Sequence, residues 1–99
     1  MKNNEIAAVF TNIADMLAEK KDNIFKIRAY RRVARSIQEL TLPVEQLVAE
    51  NRLDEIPGAG EAITKKIKEL VATGKLDYYD RLKKEIQEQT QSAAGQGIT

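Results

Sequence analysis

The segment Leu53-Asp-Glu-Ile-Pro-Gly-Ala-Gly-Glu-Ala-Ile-Thr-Lys-Lys-Ile67 constrains the fold more than any other part of the chain. Pro57 has no N–H and holds Ile56 in extended geometry, so a helical turn entering from Leu53 must stop there. Gly58 and Gly60 carry no Cβ, can take positive φ, and let a ligand approach the main chain closely. From Glu61 the apolar spacing becomes helical, and the first N–H groups of that helix point back at the turn. The segment therefore predicts a helix, a tight hairpin and a second helix. Its glycines either only make the turn or also leave room for a ligand. Turn amides beside a helix N-terminus seat an anion such as phosphate. Lysines at 65, 66 and 68 direct that reading toward nucleic acid.

The rest of the chain also predicts helices, with no alternating apolar run that would mark a strand. Asn3 or Asn4 is suited to cap a first helix whose apolar stripe is Ile6, Phe10, Ile13, Ala14 and Leu17. After the polar turn Lys20–Asn23, a second helix is expected from about Ile24 to Leu40. Pro43 suits the first turn of a short helix reaching about Ala49. A long helix from about Gly60 to Ala72 should end at Gly74, a residue fitted to the left-handed C′ position. Asp77 to about Glu88 predicts one more helix, with Tyr78, Tyr79, Leu82 and Ile86 available for packing. From Gln89 there is nothing to bury, so residues 1–88 are expected as one domain and 89–99 as a disordered, flexible tail.

Composition excludes several kinds of chemistry. Without cysteine or histidine there is no disulfide, no zinc site of the usual ligands and no histidine catalysis. No charge-free apolar run approaches a membrane span and no signal h-region opens the chain, which reads as cytoplasmic with no membrane partner. The net charge of +1 excludes no partner, because local clustering decides nucleic-acid binding.

That clustering is strongest on the second helix. Arg28, Arg31, Arg32 and Arg35 share one face at i, i+3, i+4, i+7 spacing, opposite Tyr30, Val33 and Ile37. The stripe binds phosphates, docks on an acidic surface, or pairs with acids such as Asp15 or Glu19 of the first helix. Lys26 falls on the same side as Tyr30, where it either snorkels from the core edge or lines a pocket with the Tyr30 hydroxyl. After the hairpin, Ile63, Ile67, Leu70 and Val71 define the buried stripe. Lys65 points away from it, Lys68 lies to the side, and Lys66 sits on its border. Partial desolvation of Lys66 would lower its pKa and free a nucleophilic amine, while Glu69 one turn on would oppose that. A border lysine that merely covers the core edge is the plainer alternative.

Ile56-Pro-Gly-Ala-Gly60 with Thr64 and Ile67 resembles the helix-hairpin-helix motif, a sequence-independent binder of the DNA backbone, with Thr64 in place of the usual alanine. Together with Phe25-Lys-Ile-Arg-Ala-Tyr-Arg-Arg-Val-Ala-Arg-Ser-Ile37 and Ala72-Thr-Gly-Lys-Leu76, it closely resembles the N-terminal domain of X-family DNA polymerases, over about Asn3 to Leu82. The resemblance implies an all-α fold: a compact bundle of four main helices holding one such motif, followed here by a C-terminal helix and tail. It implies contact with the phosphates of gapped or nicked DNA through Gly58, Ala59, Gly60, Lys65 and Lys68, with Lys26 and Tyr30 in a 5′-phosphate pocket. Main-chain carbonyls of Asp54, Ile56 and Ala59 would hold Na⁺ or K⁺ when DNA is bound; no cofactor is required. Lys66 falls on the family's Schiff-base nucleophile, which makes the family domain a 5′-deoxyribose-phosphate lyase.

This sequence departs from the family at three places. Ala62 replaces a lysine, Phe25 a pocket histidine, and the acidic Asp54 a basic residue at the hairpin entrance. Backbone binding through main-chain amides is indifferent to these changes, whereas lyase chemistry loses cationic support. Polymerase activity lies outside the chain, since no sheet carries clustered carboxylates for two metal ions. Three readings follow: a DNA-gripping module of a repair polymerase, a lyase acting through Lys66, or an interaction domain whose arginines dock on a polymerase body or another protein.

Overall fold

Each amphipathic stripe in the sequence finds a partner in the computed structural model. Five helices follow in chain order: α1 (Asn3–Glu19), α2 (Ile24–Gln38), α3 (Val44–Ala49), α4 (Glu61–Thr73) and α5 (Asp77–Ile98). A 3-10 turn at Leu53–Glu55 lies between α3 and α4, and no strand occurs among the described residues. Side chains are described for residues 1–88; the flexible tail expected over 89–99 lies outside the described residues. No described helix is long and apolar enough to cross a membrane.

The most extensive pairing is between α1 and α2. Ile6, Phe10, Ile13 and Leu17 of α1 and Val33 and Ile37 of α2 are buried. Ala7, Ala14 and Ala34 are buried among them, and such small side chains let two helix backbones approach closely. Val44 and Leu47 of α3, Leu53, Ile56, and Ile63, Ile67 and Leu70 of α4 join the same core, which Leu76 and Leu82 complete. Each such aliphatic side chain contributes on the order of 1.5–3 kcal/mol by leaving water. Among the described residues no charged side chain is buried with them.

The helix ends explain where the chain turns. The Asn23 side chain accepts the Phe25 N–H at 2.8 Å and caps α2. Gly74, with φ 75°, ends α4 in the left-handed conformation. Lys21 (φ 58°) and Asn51 (φ 54°) take the same conformation after α1 and α3, although they bear side chains. There the Asp22 N–H donates to the Leu17 carbonyl at 2.9 Å and the Arg52 N–H to the Leu47 carbonyl at 2.8 Å, six-residue closures that satisfy late carbonyls.

The start of α1 differs from the sequence expectation. Neither Asn3 nor Asn4 caps it: Lys2 is the N-cap, and the Glu5 carboxylate accepts the Lys2 N–H at 2.8 Å. Asn3 instead reaches across to the connection before α3. Its Nδ2 donates to the Leu42 carbonyl and its Oδ1 accepts from the Val44 N–H, both at 2.8 Å. One side chain that satisfies a donor and an acceptor far along the chain does more than a local cap. Pro43, expected in the first turn of α3, stands just outside it as the N-cap. Asn3→Ala is expected to cost about 1–2 kcal/mol through these two bonds, read as a lower urea midpoint at unchanged slope. Asn4→Ala, at an exposed position, should stay within about 0.5 kcal/mol of the parent.

Candidate nucleic-acid interface

The hairpin after Ile56 is closed by its own main chain. The Ala59 N–H donates to the Ile56 carbonyl at 3.0 Å and the Gly60 N–H to the Gly58 carbonyl at 3.1 Å. Of the three turn amides singled out in the sequence, those of Ala59 and Gly60 are therefore occupied. The amides of Gly58, Glu61, Ala62 and Ile63 have no acceptor among the described residues. The last three are the first donors of α4, where the helix dipole also favours negative charge. The free donors are therefore the Gly58 amide and the first turn of α4, with the closed amides of Ala59 and Gly60 between them.

The glycines serve different ends. Gly58 needs its φ of 88°, and a Cβ there would lie 3.2 Å from the Arg32 stem. Gly60 has φ −76°, open to any residue, and a Cβ on it would meet nothing within 4 Å. The chain does not require glycine at position 60. What a missing side chain provides there is an open approach to the free amides.

The turn is clamped to α2. The Ser36 hydroxyl donates to the Pro57 carbonyl at 2.8 Å, and the Arg32 stem lies against Gly58. Beside this clamp, Arg28, Arg31, Arg32, Arg35 and Ser36 line a cleft of about 360 Å³. Arg31 pairs with Asp15 at 2.8 Å, one of the acids the sequence offered for it. No ion pair engages Arg28, Arg32 or Arg35 among the described residues.

On the other flank, α4 and the start of α5 form an open groove of about 660 Å³. Lys65 and Lys66 line it with Tyr78 and Arg81, and the groove begins at Glu61 and Ala62, where the hairpin exits. The Lys66 ammonium lies 4.8 Å from the centre of the Tyr78 ring. Burial lowers the Lys66 pKa below the ordinary lysine value; the Lys26 charge adds to this and Glu69 opposes it. The geometry thus agrees with the border position read from the helical wheel. Glu69 has a second task, since its carboxylate accepts the Asp77 N–H at 2.8 Å and anchors the start of α5.

Lys26 lines an adjoining groove of about 370 Å³ that also contains Tyr78 and Arg81, and it lies 4.0 Å from Asp22. Tyr30 lines neither groove. Its ring is buried, stacked at 6.0 Å on Phe10 and at 6.2 Å on Tyr78. Burial, with the neighbouring Tyr78 hydroxyl, raises its pKa well above the ordinary tyrosine value, so the phenol stays protonated. Tyr78 is the aromatic wall of the grooves instead. Lys65 makes a helix-face pair with Glu61 at 3.8 Å, and Lys68 is exposed but does not line the Lys66 groove. Phe25 is 74% exposed.

Sequence reasoning missed Tyr78 and Arg81 as groove residues. Their i, i+3 spacing placed them on one face of the last helix, but a wheel for one helix does not tell which other helix that face meets. For the carbonyls of Asp54, Ile56 and Ala59, the donor chemistry suits a hard monovalent cation. Ile56 already accepts the Ala59 N–H, Ala59 accepts the Thr64 hydroxyl at a long 3.5 Å, and each oxygen keeps a second lone pair. No group of His, Cys, Asp and Glu able to hold a metal ion is gathered among the described residues.

Comparison with known proteins is consistent with this arrangement. No curated protein sequence matches the chain. A family profile for the helix-hairpin-helix domain matches residues 1–76. That span runs from the first residue through the clamped hairpin to Leu76, and by it the chain belongs to the helix-hairpin-helix domain family, as an all-helical DNA-binding domain.

Proposed function

We propose that the domain grips the phosphate backbone of gapped or nicked DNA as the N-terminal part of an X-family repair polymerase. The observation that carries this reading is the set of unpartnered amides at Gly58, Glu61, Ala62 and Ile63 around a glycine that the backbone does not need. Such amides hold phosphate without regard to base sequence. The carbonyls of Asp54, Ile56 and Ala59 would hold Na⁺ or K⁺, which would offset part of the charge of a phosphate brought to the turn. Glu61 works against binding: its exposed carboxylate sits in the first turn of α4, where the phosphate would lie.

Gly60→Val should fold with nearly parental stability yet lose at least about tenfold in affinity for a gapped duplex, as a few blocked contacts would cause. Unchanged affinity would remove the hairpin from the interface. Glu61→Gln should tighten binding about two- to fivefold at low salt, the effect of one charge at a helix N-terminus.

A second reading, a 5′-deoxyribose-phosphate lyase, is favoured by the part-buried Lys66 and its lowered pKa. In it the neutral Lys66 amine attacks C1′ of the ring-opened abasic sugar, and loss of water leaves a protonated imine. Loss of a C2′ proton then expels the 3′-phosphate by β-elimination, and water hydrolyses the imine to release the sugar. Lys26, Lys65 and Arg81 would hold the 5′-phosphate in the adjoining grooves, and the Tyr78 ring would orient the lysine. Borohydride added to a gapped duplex bearing 5′-deoxyribose phosphate should trap a covalent adduct that Lys66→Ala abolishes. The pH dependence has a definite sign. Lys26→Met removes a charge that holds the Lys66 pKa down, so its adduct yield should rise only at higher pH than in the parent. Glu69→Gln removes an opposing charge and should move the rise to lower pH, while the Gln carbonyl can still accept the Asp77 N–H. A profile indifferent to both changes would separate the chemistry from Lys66.

A further inference from the structure

We infer that the arginine cleft on α2 is a second DNA-backbone site, continuous with the hairpin and on its opposite flank from the Lys66 groove. The inference rests on the hairpin being a seat for DNA phosphate, and extends the footprint to a face that this reading does not need. Three observations carry it. First, Arg28, Arg32 and Arg35 have no ion pair among the described residues, whereas Arg31 in the same cleft is paired with Asp15 at 2.8 Å. Guanidinium groups are forks suited to phosphate oxygens.

Second, the cleft is fixed to the hairpin rather than merely near it. Ser36 lines the cleft and donates to the Pro57 carbonyl at 2.8 Å, while the Arg32 stem passes within 3.2 Å of the place where a Gly58 Cβ would stand. The free Gly58 amide and the Arg32 guanidinium thus belong to one surface. Third, the dimensions fit a strand. Arg28 to Arg35 spans about 10.5 Å along a helix rising 1.5 Å per residue, long enough for the guanidinium groups to meet more than one phosphate of a strand. An acidic peptide could satisfy the charge of the cleft, but the clamp joins the arginines to a turn whose free groups are phosphate donors. DNA is therefore the occupant the arrangement favours.

The test is the salt dependence of binding to a fluorescent gapped duplex, from about 50 to about 200 mM KCl, for four proteins. Arg28→Gln with Arg35→Gln keeps the helical stems and should weaken binding and flatten the log–log slope by about 1.8, two contacts at about 0.9 each. Asp15→Asn releases Arg31 and should tighten binding and steepen the slope by up to about 0.9. Gly60→Val reports on the hairpin separately. If the double arginine variant keeps the parental affinity and slope while Gly60→Val loses binding, the hairpin holds DNA and the cleft inference falls. If the arginine variant weakens while Gly60→Val binds normally, the cleft stands as a DNA site and the hairpin reading falls. A poly-glutamate peptide bound by the parent and lost in the arginine variant, with the DNA slope unchanged, would overturn the inference in favour of protein docking.

Discussion

The aromatic column Phe10–Tyr30–Tyr78 is the interaction on which the arrangement of the site depends. Its rings come from α1, α2 and α5, and they lie nearly parallel, with interplanar angles of 18° and 14°. Each pair contributes about 0.5–1.5 kcal/mol beyond area burial. Its larger effect is positional. The inner rings are fixed in the core, and the outer ring, Tyr78, carries the Lys66 ammonium on its face. A cation over a ring and a desolvated lysine pull in opposite directions, because the ring favours the ammonium while burial disfavours it. Burial and Lys26 determine the net direction, downward. The column therefore holds Lys66 in place without fully suppressing its amine.

A second constraint orients the hairpin. Pro57 ends the approach from the 3-10 turn, and Ser36 holds its carbonyl, so the turn cannot swing away from α2 without breaking a hydrogen bond and exposing the Arg32 stem. Four amides are left facing outward, and satisfying them is left to a ligand or to water. A phosphate brought there would meet amides already fixed by the turn, so little ordering cost would oppose association. The same clamp fixes the distance between the arginine cleft and the Lys66 groove, with the hairpin between them.

Much of this was legible in the sequence, because it depends on local spacing. The Pro-Gly-x-Gly signal located the hairpin, Gly74 located the end of α4, and the 3.6-residue period located Lys66 at the core border. What was not legible depended on where one helix meets another. Asn3 looked like a local cap and proved to serve a connection some forty residues away, because two distant main-chain groups offered it a donor and an acceptor at once. Tyr30 looked like a pocket residue, yet the α5 ring closes over it. Tyr78 was read only as a packing residue and Arg81 was not singled out at all, because only the meeting of the start of α5 with α4 brings both to the Lys66 groove. The glycine motif likewise suggested that the amides of Gly58, Ala59 and Gly60 bind, whereas the turn uses those of Ala59 and Gly60 to close itself.

The near-neutral net charge conceals how the cations are distributed. Several are matched to a carboxylate one turn away or across a helix contact: Lys65 with Glu61, Arg81 with Asp77, Lys83 with Asp80, Arg52 with Glu50 and Glu55, and Lys20 with Glu85. Exposed pairs of this kind add little stability, but each removes one cation from the long-range field. Among the described residues Arg28, Arg32, Arg35 and Lys66 make no ion pair and lie in the clefts beside the hairpin, while the other lysines without one, Lys2, Lys21, Lys68, Lys75 and Lys84, are scattered over the surface. A polyanion approaching a surface with a Debye length of about 8 Å responds to such local excess and not to the total. A phosphate backbone drawn to these clefts would also meet the acidic Asp54 and Glu61 beside the turn, which would limit how strongly it is held there. For a domain that binds DNA and later releases it, that balance is more useful than a uniformly basic surface.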